Sequence, residues 1–197
     1  MNLPNRITIL RLIFVPLIVF MSLFPFAQFN IVFGHINVSF VTLSIQNIII
    51  LVLFMLASIT DFLDGYFARK LNQITTFGKF FDPIADKLLV NTLFILLAVQ
   101  GVLPVLAVLL MIWRDTIVEA VRMITARSGV TIAAQFLGKL KTVAQIITLV
   151  LYLLNNLPFE LIHLPIHELM LWFTVSISLL SGVSYFLQSK SIILESM

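Results

Sequence analysis

Four aspartates stand in two pairs within the stretch DFLDGYFARKLNQITTFGKFFDPIAD, from Asp61 to Asp86. Asp61 and Asp64 are three residues apart and Asp82 and Asp86 four apart, so each pair falls on one face of a helix. Carboxylates gathered in one place repel one another unless positive charge sits between them. The stretch holds no His, and the chain has no Cys. The donor set is therefore hard and all-oxygen, which suits Mg2+ or Mn2+. Two such ions about 4 Å apart can clamp the oxygens of an in-line phosphoryl displacement. The alternative use of these acids is plain charge pairing with Arg69, Lys79 and Lys87. Gly65 and Ala68 leave room for a ligand to approach the backbone beside the first pair. Gly78 extends the stripe formed by Asp82 and Asp86.

What must position these groups is a membrane domain. The chain is 60 % hydrophobic, has 18 Phe, and carries only 11 % charged residues. A soluble domain is nearer half apolar, with about a quarter of its residues charged. The composition describes one integral membrane domain over residues 1–197, with no disulfide framework and no Cys nucleophile. A formal charge of +3 is small, and no nucleic-acid partner is expected.

Apolar runs long enough to cross about 30 Å of hydrocarbon predict an all-α polytopic fold of six transmembrane helices. They cover about Asn5 to Ala27, Thr42 to Arg69, Phe77 to Val99, Leu103 to Ala126, Gly138 to Leu154 and Glu168 to Gln188. Arg6 and Arg11 ahead of an apolar run imitate a signal peptide. Pro16 interrupts that run and no clean small-residue cleavage site follows, so the segment is expected to be the first span. The connections near residues 28–42, 100–104 and 155–167 contain no Lys or Arg, whereas the other connections and both ends do. By the positive-inside rule both termini are cytoplasmic and the connections without Lys or Arg face outward.

Only about a dozen largely apolar residues separate Lys87 from Gln100, and nine separate Pro104 from Arg114. Asp82, Asp86, Arg114, Asp115, Glu119 and Arg122 are thus expected on helices at the inner membrane edge, lining a polar cavity open to the cytosol. Arg114 and Arg122 share a helix face, Lys139 and Lys141 follow on the next helix, and Arg11 lies on the first. Arginine suits bidentate phosphate contacts and lysine supplies a point charge, so this cluster points to an anionic acceptor. Asp115 and Glu119 are candidate partners that hold those cations. Arg127, Lys70 and Lys190 read as topological signals alone.

Asp61, Asp64, Gly65, Ala68, Arg69, Gly78, Asp82 and Asp86 match every fixed position and gap of the signature of the CDP-alcohol phosphotransferase family, which the chain resembles over essentially its whole length. The resemblance implies six membrane helices and transfer of a substituted phosphate from a CDP-linked donor to an alcohol, with release of CMP. It implies that Asp61, Asp64, Asp82 and Asp86 bind two divalent ions and that Asp86 also takes the proton of the attacking hydroxyl. Gly65 and Arg69 would meet the nucleotide, Thr75 would add a contact, and the Pro4-Asn5 turn resembles the segment that closes over it. The opening MNLPNRITILRLIFVP and the segments WRDTIVEAVR and GKLKT resemble a bacterial branch that uses CDP-diacylglycerol and glycerol 3-phosphate. Arg11, Arg114, Arg122, Lys139 and Lys141 would then bind the acceptor phosphate. Rival readings are another phosphorylated alcohol, a cardiolipin-type acceptor, or an ion-coupled transporter. The last would need charge near the bilayer midplane.

Lesser features complete the reading. His35, His163 and His167 fall on the outer side, away from the aspartates. Trp113 and Trp172 are candidate interfacial anchors. Thr174, Ser178 and Gly182 form a small-residue stripe suited to close helix packing or to contact in a homodimer. The neutral connection near residues 28–42 has no role that its residue types reveal.

Overall fold

The computed structural model describes residues 3–70, 76–127 and 136–195, and within them the side chains other than those of 3–6, 61–70, 76, 77, 79, 80, 127, 191 and 193–195. Among these residues six α-helices form: α1 Leu3–Leu23, α2 Ile45–Lys70, α3 Thr76–Val99, α4 Val105–Arg127, α5 Phe136–Leu153 and α6 Ile166–Glu195. Helices satisfy every backbone donor and acceptor internally, which an apolar solvent requires. Segments Phe136–Leu153 and Ile166–Lys190 are each long and apolar enough to cross a membrane, with mean hydropathy 1.5 and 1.6. Ile7–Leu23 and Ile45–Thr60 are shorter apolar helices.

The helices pack as two triplets. α1 lies against α2 and α3, while α6 lies against α4 and α5; α3 and α2 join the triplets through α4 and α5. The apolar core runs through mid-helix positions, with Ile18, Phe54, Leu93, Phe94, Met111, Leu149, Leu153 and Leu171 each no more than 1 % exposed. The stripe on α6 is used inside this packing. Thr174 and Ser178 are fully buried, and the Thr174 hydroxyl meets that of Thr148 on α5 at 2.9 Å. The stripe therefore serves helix packing within the chain.

Several boundaries differ from expectation. α1 continues through Pro16 and stops at Leu23, short of Ala27. A 3-10 turn, Phe26–Phe29, follows it. α2 starts at Ile45 rather than Thr42, because Val41–Ser44 is the second strand of a hairpin with His35–Val38. α6 begins two residues early, at Ile166, just after Pro165, a residue tolerated at a helix start.

The hairpin gives the neutral connection a role. Val41 and Leu43 are buried, the Phe40 ring stacks on His163 at 5.0 Å, and Asn155 Nδ2 donates to the Thr42 carbonyl at 2.6 Å. Phe24 stacks on Phe29, and Phe26 packs edge-on to Phe33. The connection is thus pinned across the α5–α6 junction at one end of the bundle. Within that junction Asn156 is 1 % exposed, donates to Glu160 and to the Leu164 carbonyl at 2.7 Å each, and accepts from the His167 amide at 3.1 Å. Asn156→Ala should cost about 2–3 kcal/mol, since buried polar partners would be left unmet. A lower melting temperature of the detergent-solubilised protein with unchanged steady-state kinetics is the expected result.

Candidate active site

α3 brings its two described aspartates against α1. The Thr8 hydroxyl donates to Asp82 Oδ1 at 2.6 Å, and Arg11 Nη1 donates to Asp86 Oδ1 at 2.8 Å. Arg11 is fully buried, whereas the Asp86 side chain remains 42 % exposed. Each aspartate is thereby oriented from behind by a donor on α1, and Asp86 keeps an open side. Arg11 was expected among the acceptor cations. Its observed place is behind Asp86, and it is not among the residues that line the cavity described next.

The cavity, about 290 Å3, lies between the two triplets. Asp86, Lys87, Val90 and Asn91 line it from α3; Arg114, Asp115, Glu119 and Arg122 from α4; Lys139, Lys141 and Gln145 from α5; and Tyr185 from α6. Its volume is at the small end of ligand pockets, which run from about 300 Å3 upward. Among the described lining residues five are cations (Lys87, Arg114, Arg122, Lys139, Lys141) and three are carboxylates (Asp86, Asp115, Glu119), an excess of two positive charges.

Asp115 organises the deep part. It is 6 % exposed and takes the Nζ of Lys141 on both oxygens, as well as Arg114 Nη1 at 2.8 Å. Arg114 is also held by α6, with Nε donating to the Ser178 carbonyl at 2.9 Å and Nη2 to the Ser181 hydroxyl at 2.6 Å. Gly182 leaves room for this crossing: a Cβ there would stand 2.9 Å from Arg114 Cγ, so any larger residue would force the Arg114 side chain to shift. Lys87 pairs with Glu119 across α3 and α4. Asp115 thus holds Arg114, as expected, together with Lys141, whereas Glu119 holds Lys87, which lies outside the cations it was expected to steady. Arg122 is exposed, and its Nη2 donates to the Tyr185 hydroxyl at 2.6 Å while its guanidinium carbon stands 4.8 Å from the ring centre. Lys139 is exposed at the rim.

Asp61, Asp64, Gly65, Ala68 and Arg69 all fall in the last part of α2, and Asn5 in the first turns of α1. Their side chains lie outside the described residues, as does Thr75 altogether. Gly78 falls one turn before Asp82 on α3. Among the described residues no three acidic or imidazole groups converge, two of the four aspartates being outside them. The donor chemistry that is described still fits a hard cation: two carboxylates one helical turn apart, each steadied by a hydrogen bond, one of them open to the cavity.

The three histidines are elsewhere. His35 is in the hairpin, His163 lies under Phe40, and His167 meets the Tyr152 ring at 5.0 Å. Phe40 lies between the two hairpin strands and Tyr152 at the end of α5, so the histidines gather at the end of the bundle opposite the cavity. Thr8, Ser181 and Tyr185 were not anticipated from the sequence. The signal that could have found the last two is the α6 stripe, since Ser181 and Tyr185 continue Thr174 and Ser178 toward the end of the helix.

A model of the CDP-alcohol phosphatidyltransferase family matches residues 1–180. The chain belongs to that family. It is 42 % identical over 185 residues to a Bacillus subtilis (strain 168) protein named CDP-diacylglycerol–glycerol-3-phosphate 3-phosphatidyltransferase, an alignment covering 94 % of this chain and 93 % of the relative. A protein of the same name from Rickettsia typhi is 36 % identical over 191 residues, covering 96 % and 98 %. Another, from Salmonella choleraesuis, is 34 % identical over 152 residues, covering 75 % and 74 %.

Proposed function

We propose that the protein transfers the phosphatidyl group of CDP-diacylglycerol to glycerol 3-phosphate, giving phosphatidylglycerophosphate and CMP. The observation that carries this reading is the cavity, where an open aspartate of the family signature faces a chamber whose described lining carries two positive charges in excess. A phosphate monoester dianion would balance that excess, whereas an uncharged alcohol such as inositol would leave it standing. The relatives' shared name agrees with a phosphorylated acceptor.

In this reading the acceptor hydroxyl oxygen bonds to the phosphorus that carries diacylglycerol, and the phosphoanhydride bond to CMP breaks. Asp86 receives the hydroxyl proton, with Arg11 behind it fixing the carboxylate that points to the cavity. Asp61, Asp64, Asp82 and Asp86 would hold two divalent ions, Mg2+ or Mn2+, which neutralise diphosphate charge when bound. Asn5, Gly65, Ala68, Arg69, Thr75 and Gly78 would meet the nucleotide end of the donor. Arg114, Arg122, Lys139 and Lys141 would receive the acceptor phosphate.

The same reading makes residues 1–197 one domain with six spans, both ends and the cavity on the cytosolic side of the cytoplasmic membrane. Its support is the charge distribution: Lys87, Arg114, Arg122, Lys139 and Lys141 gather at the cavity end, and the hairpin and α5–α6 junction have no Lys or Arg. CMP release by purified protein given CDP-diacylglycerol and a panel of alcohols tests the function. Release with phosphatidylglycerol or inositol, but not glycerol 3-phosphate, would replace this acceptor by another. Arg114→Ala should raise the KM for glycerol 3-phosphate about tenfold or more, since a charge-assisted contact is lost. Its KM for CDP-diacylglycerol should stay nearly unchanged, and an unchanged acceptor KM would remove Arg114 from the phosphate site.

A further inference from the structure

We propose that Tyr185 sets the selectivity for a dianionic acceptor by holding Arg122 in place without neutralising it, an inference that rests on the acceptor reading above. The cavity holds its two arginines in different ways. Arg114 shares the carboxylate of Asp115 with Lys141, so much of its charge is already answered within the protein. Arg122 has no carboxylate within ion-pair distance among the described residues; its partner there is the Tyr185 hydroxyl at 2.6 Å, with the ring beneath the guanidinium. A phenol accepts a hydrogen bond while remaining uncharged at neutral pH. Arg122 therefore meets the cavity with its full charge, and its remaining N–H groups form a planar fork suited to a phosphate.

Tyr185 is well placed to act as a fixed rest. It is 1 % exposed although its hydroxyl reaches the cavity, and that hydroxyl lies 3.8 Å from where a Cβ on Gly138 would stand. The start of α5 thus closes over it on one side. Ser181, one turn earlier on α6, receives Arg114 in the same manner. This face of α6 aims both guanidinium groups into one chamber, and at Arg122 it does so with a neutral group only. Tyr185 is a positioning residue in this scheme: it acts on the acceptor through Arg122.

The test compares wild type, Tyr185→Phe and Tyr185→Leu as full-length protein in lipid nanodiscs. CMP release is followed with glycerol 3-phosphate and with its phosphate methyl ester, which has the same skeleton and one negative charge fewer. Losing the hydrogen bond alone should raise the KM for glycerol 3-phosphate about fivefold. Losing the ring as well should raise it further, to about twentyfold. Donor KM and kcat should move less than about twofold, and the preference for the dianion over the methyl ester should fall with the acceptor affinity. Equal losses for both acceptors, or a fall in kcat at unchanged KM, would reduce Tyr185 to a packing residue and overturn the proposal. Should wild type release no CMP with glycerol 3-phosphate, the acceptor reading itself fails. Calorimetric titration of the three proteins with inorganic phosphate then decides separately: weaker binding by the variants supports the Tyr185 assignment, and equal binding overturns it.

Discussion

Asp86→Asn protein is expected to bind CDP-diacylglycerol and to release CMP at least about a hundredfold more slowly than wild type, a loss in the range for a missing general base. Asn keeps the size of Asp and one carbonyl oxygen, so the hydrogen bond from Arg11 Nη1 at 2.8 Å can persist. What disappears is the negative charge and the capacity to take a proton. The change also weakens a hard-cation donor set, so saturating Mg2+ or Mn2+ should be present throughout. Arg11 is fully buried and contributes a positive charge, so some loss of stability should accompany the kinetic loss. The two effects separate by measurement: melting temperature for the folded state, equilibrium binding of a donor analogue, and single-turnover CMP release. Wild-type turnover at saturating metal would exclude Asp86 as the proton acceptor.

The placement of Arg11 shows where sequence reasoning stopped. A cation on the first span could serve the acceptor or the acids, and spacing along one helix does not say which neighbour it meets. Packing of α1 on α3 decides, and puts Thr8 and Arg11 one turn apart against Asp82 and Asp86, themselves one turn apart. The helical register was readable on each strip separately; the pairing between strips is a tertiary fact. The charges on α3 and α4 were easier to read, because the short apolar runs after Lys87 and before Arg114 already force them toward one end of the bundle.

The hairpin escaped for a different reason. In the segment HINVSFVTLS only part of an alternating pattern survives, and β1 has both faces exposed. A two-stranded ribbon is marginal by itself. This one depends on the Phe40–His163 stack and the Asn155 contact, which join residues more than a hundred positions apart and have no local signature. Tyr185 is an intermediate case. The periodicity of small and polar residues on α6 runs straight to it, but a lone tyrosine in a greasy helix reads as bulk until an arginine is seen beside it.

Removing the Asp115 carboxylate should have the largest effect on the folded state. Asp115→Ala leaves Arg114 and Lys141 facing each other, with side chains each only 9 % exposed and the anion between them gone. Breaking a buried ion pair from one side typically costs about 3–5 kcal/mol, because the remaining charge has lost its partner. Here two charges lose the same partner, so the upper part of that range is expected. Arg114 retains its bonds to the Ser178 carbonyl and Ser181 hydroxyl, which leaves Lys141 as the cation most in need of compensation. Adding Lys141→Met should therefore recover much of the lost stability, since it replaces an uncompensated charge by an apolar chain of similar length. It should not recover use of glycerol 3-phosphate, because the cavity would then be short of one cation. Thermal melting and CMP release for the two single variants and the double variant form a cycle that isolates the coupling between these residues. A melting temperature for Asp115→Ala equal to that of wild type would mean that solvent or lipid head groups already screen the pair. Recovery of both stability and acceptor use in the double variant would show that Lys141 neutralises Asp115 and has no part in binding the acceptor.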